Sequence, residues 1–455
     1  MAEKIYDRVA PPGIGRQRTM ESILGWATTG QCCSLVGISN MGKSALVRQV
    51  HEIGSSQWAD VLFVYADCNR MLDMSEQGLY ELLLRCILDE LQCQPDMQET
   101  RQSLASAYER VTVSSNEFQV SLGFSDGITS LFDTRYRLIV LLLDEFDEPL
   151  RELDGRVLLN LRALCDRYPD RLSYLVTTNH TMRDIRQDVH ADEFCELFVH
   201  HTLHLGPITQ DESREYALGL AERDQVTFDE QDIQFIQMKS GGHPGLVEAI
   251  CTILGDVTGR PVRDASQDWI IHREVSERLR DHGAVQSECI KLWGDLSREE
   301  RDGLLALVAR QESPPATVLR SLKNKYLLRT TGEGVQFLGQ VFEEYVRRQR
   351  IVQRGARRGI RLDVDTGEVW VEEQEIPTLT RLEYRLMMLL YGNLGKICDK
   401  YQVVEAVWGG DYLDEVDDAR IEKLVSRLRQ KLEPDPSNPR YLITVRGRGY
   451  KLIDE

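Results

Sequence analysis

Residues Gly37 to Ser44, GISNMGKS, satisfy the pattern G-x-x-x-x-G-K-[ST] at every fixed position. A chain that wraps a polyphosphate needs residues without a Cβ where its backbone nears the phosphate oxygens, and Gly37 and Gly42 supply that. The successive N–H groups then form an anion nest at the positive end of the following helix. Lys43 sets its ammonium against the β and γ phosphates, and the Ser44 hydroxyl joins a Mg²⁺ shell. Asn40 and Ala45 lie in the same stretch and belong with these as nucleotide-binding candidates. A second stretch, RLIVLLLDEFDEPL, ends six apolar residues in Asp144 and Glu145. Acids at the carboxyl edge of a parallel sheet can hold a metal shell and orient or deprotonate an attacking water. Asp144 is assigned to the Mg²⁺ and Glu145 to the water, so Glu145, Lys43 and Asp144 form the catalytic set. Asp147 and Glu148 precede Pro149 and are read as acids of a helix start. Asn179, closing RLSYLVTTNH, either hydrogen-bonds the γ-phosphate or the water, or is a polar loop residue with no ligand. His200, His201 and His204 have no Cys or fourth His at useful spacing, so a zinc site is not expected.

These residues need a scaffold. CCSLV before the loop reads as a buried strand and the stretch after it as a helix. VLFVYADCN is a second buried strand, followed by a helix from about Gln77 to Leu91. From Gln92 to Tyr136 the chain is polar, and alternation around the glycines of EFQVSLGFSDGI suggests a small hairpin insertion. Strands alternating with helices give a three-layer α/β domain over residues 1–205. Residues 206–255 switch to helical periodicity, broken sharply at KSGGHPGLVEAI by Gly241, Gly242, Pro244 and Gly245.

The set GRQRTME, GISNMGKS, LLLDEFD and GGHPGL resembles the STAND class of P-loop ATPases, closest to its archaeal-type AAA-like branch, over roughly residues 10–350. That resemblance implies Arg16 near the adenine and Pro244, in the Gly-x-Pro of a helical lid, against the base or sugar. It also implies an ATP-driven switch, closed with ADP and open, often oligomeric, with ATP. Many members carry an arginine after the fourth strand, where this chain has Asn179 and His180. Neither Arg183 nor Arg186 is assigned as the phosphate sensor.

Residues 256–346 show two helices and a hairpin with a Gly-containing turn, a first winged-helix module. Its basic residues Arg320, Lys323 and Lys325 are too few to claim DNA contact. Residues 347–358 read as a charged linker with helical beginnings. In residues 359–455, IRLDVDTGEVWVEEQEIPTLT alternates at period two around a turn at Asp365 to Gly367. Thr380 and Glu383 stand at capping-box spacing before a helix with Leu382, Leu386, Leu389 and Leu390 inward. A helix near Lys400 to Trp408, a third from about Asp418 to Leu432 with Ile421, Leu424, Val425 and Leu428 inward, and the hairpin YLITVRGRGYKLI complete the module. The wording LTRLEYRLMMLL, EAVWGGDY and SRLRQKLEPDPSNPRYLITVRGRGYKL closely resembles the OmpR/PhoB-type DNA-binding domain of response regulators. The resemblance implies that the third helix enters the major groove and the wing meets the minor groove or its phosphates. Matching positions are Arg420, Arg427, Arg429 and Arg446, with Lys423 and Arg448 as added basic residues. Arg427 is chosen for direct base contact, since a guanidinium fork suits guanine O6 and N7. Leu424 and Ser426 depart from positions where members present polar or basic contacts. The acidic loop GGDYLDEVDD has a family equivalent that can meet RNA polymerase. No receiver domain is seen before this module, so the ATPase is expected to take over as the signal-gated element.

The fold expected is therefore multidomain α/β: a P-loop three-layer parallel-sheet ATPase with a helical lid, followed by two winged-helix modules. The 455-residue chain carries a net charge of −18 and ten cysteines without C-x-x-C spacing, read as reduced and buried. Most of the excess acid lies before Ile351, whereas residues 418–451 hold nine basic and four acidic residues. A local basic face can bind phosphates even on an acidic protein. The longest apolar run is too short for a bilayer and no secretory signal is visible, so a cytoplasmic protein without a membrane partner is expected. The functional expectation is an ATP-dependent, signal-gated transcription regulator using ATP/ADP, Mg²⁺ and double-stranded DNA. It would oligomerise with ATP and answer to an unknown activating ligand or protein. Competing expectations are an ATP-dependent DNA-handling or defence factor, and a nucleotide-locked scaffold with negligible turnover.

Overall fold

The computed structural model describes residues 16–92, 94–114, 116–258, 268–309, 313–332, 334–355, 360–362, 368–371, 374–408 and 418–453. They fall into two units divided between Glu212 and Ser213. In the first, strands β1 (Cys33–Val36), β2 (Val61–Asp67), β3 (Leu138–Asp144), β4 (Leu172–Thr178) and β5 (Thr202–His204) form one sheet in the order β2-β3-β4-β1-β5. Every pairing is parallel. β1, β3 and β4 are buried along their whole length. A parallel sheet needs helical crossovers over its faces, which is why LIVLLL reads as a continuous apolar run. From β1 the chain crosses to β2 at the far edge, whereas from β4 it crosses to β5 on the other side of β1. The order therefore reverses between β4 and β1, and the carboxyl ends of these strands border the crevice where such sheets bind ligands. Register sets Asp67 opposite Asp144 and Val36 opposite Thr178.

The hairpin expected within residues 92–136 is instead a pair of helices, Gln98–Val113 and Glu117–Leu131. Val120, Phe124, Ile128 and Leu131 share one buried helical face. The glycines of EFQVSLGFSDGI serve close packing rather than turning. A Cβ at Gly127 would lie 2.8 Å from Leu84 and 3.2 Å from Ala107, and one at Gly123 would lie 3.2 Å from Val111. Asn116 caps the second helix by accepting from Phe118 N, and Phe124 stacks on Tyr80 of the helix Glu76–Leu91 at 4.0 Å.

The second unit begins with helices that include Glu230–Ser240 and Pro244–Thr258. Helices Arg298–Val308 and Ala316–Asn324 with the hairpin β6 (Leu328–Thr331) and β7 (Gly334–Phe337) build the first winged helix. The helix Gln340–Gly355 then runs through most of the stretch read as a linker. The terminal module opens with antiparallel strands β8 (Ile360–Leu362), β9 (Val369–Val371) and β10 (Gln374–Glu375). The turn expected at Asp365 to Gly367 lies outside the described residues. Helices Arg381–Gly392, Lys400–Val407 and Asp418–Leu432 follow, with β11 (Ile397–Cys398) paired to the hairpin β12 (Leu442–Val445) and β13 (Gly449–Leu452).

Thr380 and Glu383 form the expected capping box. Leu382, expected inward, is 37% exposed. The buried place in that first turn belongs to Glu383, whose carboxylate accepts from Thr380 N and Lys431 Nζ. No described helix is long and apolar enough to cross a membrane.

Candidate functional site

The loop between β1 and the helix Lys43–Gln57 owes its shape to two left-handed residues, Asn40 at φ 57° and Gly42 at φ 87°. At Gly42 a Cβ would meet no protein atom within 4 Å, so that side of the loop is open. Gly37 differs from the sequence reading: a Cβ there would lie 2.9 Å from the Leu205 carbonyl oxygen. Its absence is already required by the chain following β5, before any phosphate is considered. Ser44 and Ala45 are half-buried in the first helical turn, where N–H groups lack intrahelical acceptors.

Lys43 is only 3% exposed, and its Nζ donates to Gly37 O at 2.8 Å and to Asn179 Oδ1 at 2.5 Å. Asn179, at the end of β4, is thus brought to the loop, and its Nδ2 donates to Ser39 Oγ at 3.4 Å. Its backbone N–H donates to both carboxylate oxygens of Asp147 at 2.9 Å. Asp147, read as a helix-start acid, does begin the helix Asp147–Glu152, and its carboxylate also fixes the Asn179 turn.

Asp144 ends β3, 1% exposed. Its Oδ2 accepts from Tyr65 OH at 2.8 Å and its Oδ1 from Thr177 Oγ1 at 2.6 Å. Glu145 follows at φ 56°, and its backbone N–H donates to Thr177 Oγ1 at 2.9 Å. A left-handed glutamate costs about 1–3 kcal/mol and persists only where the surroundings impose it. Burial pushes the Glu145 carboxyl up to about 7, against the pull of Lys43 and with help from Asp144, Asp147 and Asp67. Asp67 is likewise raised, by burial and then by Asp144. Glu145 and Asp67 are thus raised by burial and by neighbouring acids despite the opposing charges of Lys43 and Arg48.

The donor chemistry fits a hard divalent cation. Ser44 and Asp144 offer oxygen alone, and the described residues hold no cluster of three or more His, Cys, Asp or Glu suited to an all-protein metal cage. Mg²⁺ is commonly held by one or two carboxylates together with substrate phosphates and water, which this arrangement suits.

Sequence reasoning missed Tyr65, Asp67 and Thr177. Period two places Tyr65 and Asp67 on one face of β2, a visible signal. Which strand lies beside β2 is set only by the tertiary order.

Arg16 precedes the helix Gln17–Ala27 and donates from Nη2 to Gly206 O at 2.8 Å, while its buried Nη1 has no hydrogen-bond partner among the described residues. Burial lowers its pKa to about 10, with Glu212 opposing. Pro244 opens the helix Pro244–Thr258, in the second unit. Before it, Gly241 and Gly242 have φ 63° and 83°, and buried His243 accepts the Leu246 N–H on Nδ1 at 3.2 Å. A Cβ at Gly241 would lie 1.4 Å from Leu338 O, so part of this glycine motif serves contact with the first winged helix. There Lys325 bonds Asp295 O at 3.0 Å and Glu300 Oε2 at 2.7 Å.

In the terminal module Ile421, Leu424, Val425, Leu428 and Leu432 anchor the third helix. Arg420, Lys423 and Arg427 are exposed on it, and Arg446 and Arg448 are exposed in the wing, which turns at Gly447 with φ 72°. Arg429 is half-buried: its Nε donates to Leu442 O at 2.8 Å and its Nη2 to Thr444 Oγ1 at 2.7 Å, tying helix to wing. Glu433 accepts the N–H groups of Arg440, Tyr441 and Leu442 at 2.7, 2.9 and 2.6 Å, holding the start of β12. Most of the acidic loop lies outside the described residues.

Strand order, phosphate loop and paired edge acids define a P-loop ATPase fold, carried in one chain with two winged-helix modules. Residues 373–452 match the family described as transcriptional regulatory protein, C terminal, so the terminal module is of the OmpR/PhoB type. The chain is similar to the sensory transduction protein RegX3 of Mycolicibacterium smegmatis, 42% identical over 93 residues, which is 20% of this chain and 40% of that one. It thus spans well under two thirds of the curated relative's length. Among solved structures it is similar to a Walker-type ATPase of Pyrococcus abyssi, with 15% identity, 74% of this chain and 96% of that one covered, and TM-score 0.45. It is also similar to the RstA DNA-binding domain of Klebsiella pneumoniae in complex with the RstA box, with 24% identity, 21% and 93% covered, and TM-score 0.20.

Proposed function

We propose that this protein is an ATP-controlled, DNA-binding transcription regulator. The P-loop would hold the triphosphate, with Lys43 toward its β and γ groups; Ser44 and Asp144 would hold a Mg²⁺ that would supply charge stabilisation for phosphoryl transfer. Glu145 orients and deprotonates the attacking water, and Asn179 senses the γ-phosphate beside Lys43. Arg16 and Pro244 enter as nucleotide contacts through the STAND resemblance alone. Nucleotide state acts as a switch, with ATP promoting self-association and hydrolysis resetting it. Arg420, Lys423 and Arg427 address the major groove, Arg446 and Arg448 the flanking phosphates, and Arg429 supports the wing while lying beside the duplex. An activating ligand or protein biases the switch, and RNA polymerase is the further partner.

One observation carries this reading: the family match over residues 373–452 sits in the same chain as a phosphate loop whose lysine contacts the polar end of β4. Its test is binding of the full chain to genomic DNA fragments with ATP, with ADP and without nucleotide, in wild type and Lys43→Ala. The expected result is protection of discrete sites that responds to nucleotide in the wild type and not in the variant. DNA binding indifferent to nucleotide in the wild type would refute the switch. A wild-type protein that coats all fragments alike would refute promoter regulation.

A further inference from the structure

The hydroxyl of Thr177 serves the two edge acids at once, and no role yet given to the site accounts for it. Thr177 lies in β4, fully buried, one strand over from both carboxylates. Its Oγ1 donates to Asp144 Oδ1 at 2.6 Å and accepts the Glu145 N–H at 2.9 Å. Its backbone carbonyl accepts the N–H of Phe146 at 2.9 Å, so three consecutive residues of the β3 end are tied to one threonine. A hydroxyl has one proton to give and lone pairs to receive with, so the two side-chain bonds are mutually compatible.

They also have different consequences. The bond given fixes the plane of the Asp144 carboxylate, leaving Oδ2 to the Tyr65 hydroxyl. The bond received holds the Glu145 amide while that residue keeps its left-handed backbone. A residue without that hydroxyl would release both acids together. We infer that Thr177 is a positioning residue that holds the metal-side acid Asp144 and the water-side acid Glu145 in a fixed mutual orientation through a single shared hydroxyl.

This rests on the roles proposed above for Asp144 and Glu145. If it holds, losing the hydroxyl harms metal use and hydrolysis, while the phosphate loop, which Thr177 does not build, keeps its grip on the nucleotide.

The test compares full-length wild type, Thr177→Val, Thr177→Ser and Glu145→Gln in three measurements. These are single-turnover phosphate release at saturating Mg-ATP, the Mg²⁺ concentration for half-maximal binding of a fluorescent ATP analogue, and the affinity for that analogue in chelator. Thr177→Val should lower phosphate release tenfold or more and raise the Mg²⁺ requirement threefold or more. Its metal-free affinity should stay within twofold of wild type, and Thr177→Ser should recover both losses to within threefold. Thr177→Ala supplies the same deletion should the valine protein not fold. Normal release and normal Mg²⁺ requirement in both deletions overturns the proposal. So does a parallel loss of metal-free affinity that serine does not recover, which marks a purely structural residue. If wild type and Glu145→Gln release phosphate equally slowly, the hydrolytic reading of the acids fails and this proposal with it. A large Glu145→Gln defect beside a normal Thr177→Val defeats the positioning role alone.

Discussion

At Lys43 a buried ammonium is held by two oxygens, Gly37 O and Asn179 Oδ1, with carboxylates nearby. Removing it takes away the charge proposed to face a triphosphate, so Lys43→Ala should lose at least tenfold in ATP affinity by titration calorimetry. Glu145→Gln should behave differently, retaining ATP and reducing phosphate release by about two orders of magnitude or more, because the water-orienting role proposed for this acid belongs to the reaction rather than to binding. The Glu145 carboxyl also links the nucleotide-free protein to pH. Its folded pKa, about 7, lies above the ordinary value of 4.5. The folded state therefore holds the proton more tightly, and that contribution to stability is full below the ordinary value and is lost as pH rises through about 7. Glu145→Gln cannot lose a proton there. In chelator and without nucleotide it should melt close to wild type at pH 5 and above it at pH 8, by a difference of roughly 2 kcal/mol.

Among the elements, the helix pair Gln98–Val113 and Glu117–Leu131 shows how periodicity can mislead. Alternation around Gly123 and Gly127 looks like a hairpin, yet Val120, Phe124, Ile128 and Leu131 form one buried helical face, and the two glycines, four apart, lie against Leu84, Ala107 and Val111. Glycine is used there because a side chain would intrude. Gly127→Val should destabilise the protein by about 1–3 kcal/mol in urea unfolding, the usual result of overpacking. By contrast the terminal module announced itself locally. Thr380 and Glu383 cap as their spacing requires, and the apolar face Ile421, Leu424, Val425 and Leu428 is buried as its period requires. Thr380→Ala should lower stability by about 1 kcal/mol in the same assay. Leu382 shows the limit of such reading, since a helix face says which side is apolar but not where along the helix the core ends.

For the whole molecule, the proposed function puts a DNA-binding module under the control of a nucleotide. Arg427→Ala should weaken binding to a selected site by about 1–3 kcal/mol and relax preference at one base pair. Arg446→Ala should weaken binding to all sequences alike and flatten its dependence on salt. Electrophoretic mobility shift over a salt series separates these outcomes. Net charge of −18 makes the distinction sharper, because attraction to DNA must come from a local face on an otherwise acidic protein.

By itself the sequence determined the phosphate loop, the strand that ends at Asp144 with Glu145 following it, and the terminal winged helix. Each depends on residues close together in the chain, where spacing alone fixes geometry. Only the tertiary structure decided that β3 lies between β2 and β4, and β4 between β3 and β1, and so that Tyr65 and Thr177 reach Asp144 while Asn179 reaches Lys43. Strand order is a property of crossovers between distant segments, and hydrogen bonds between residues 33, 79 and 136 positions apart leave no period in the sequence to be read. The same holds for Gly37, whose need for a bare α-carbon is set by Leu205 and would have been credited to phosphate alone.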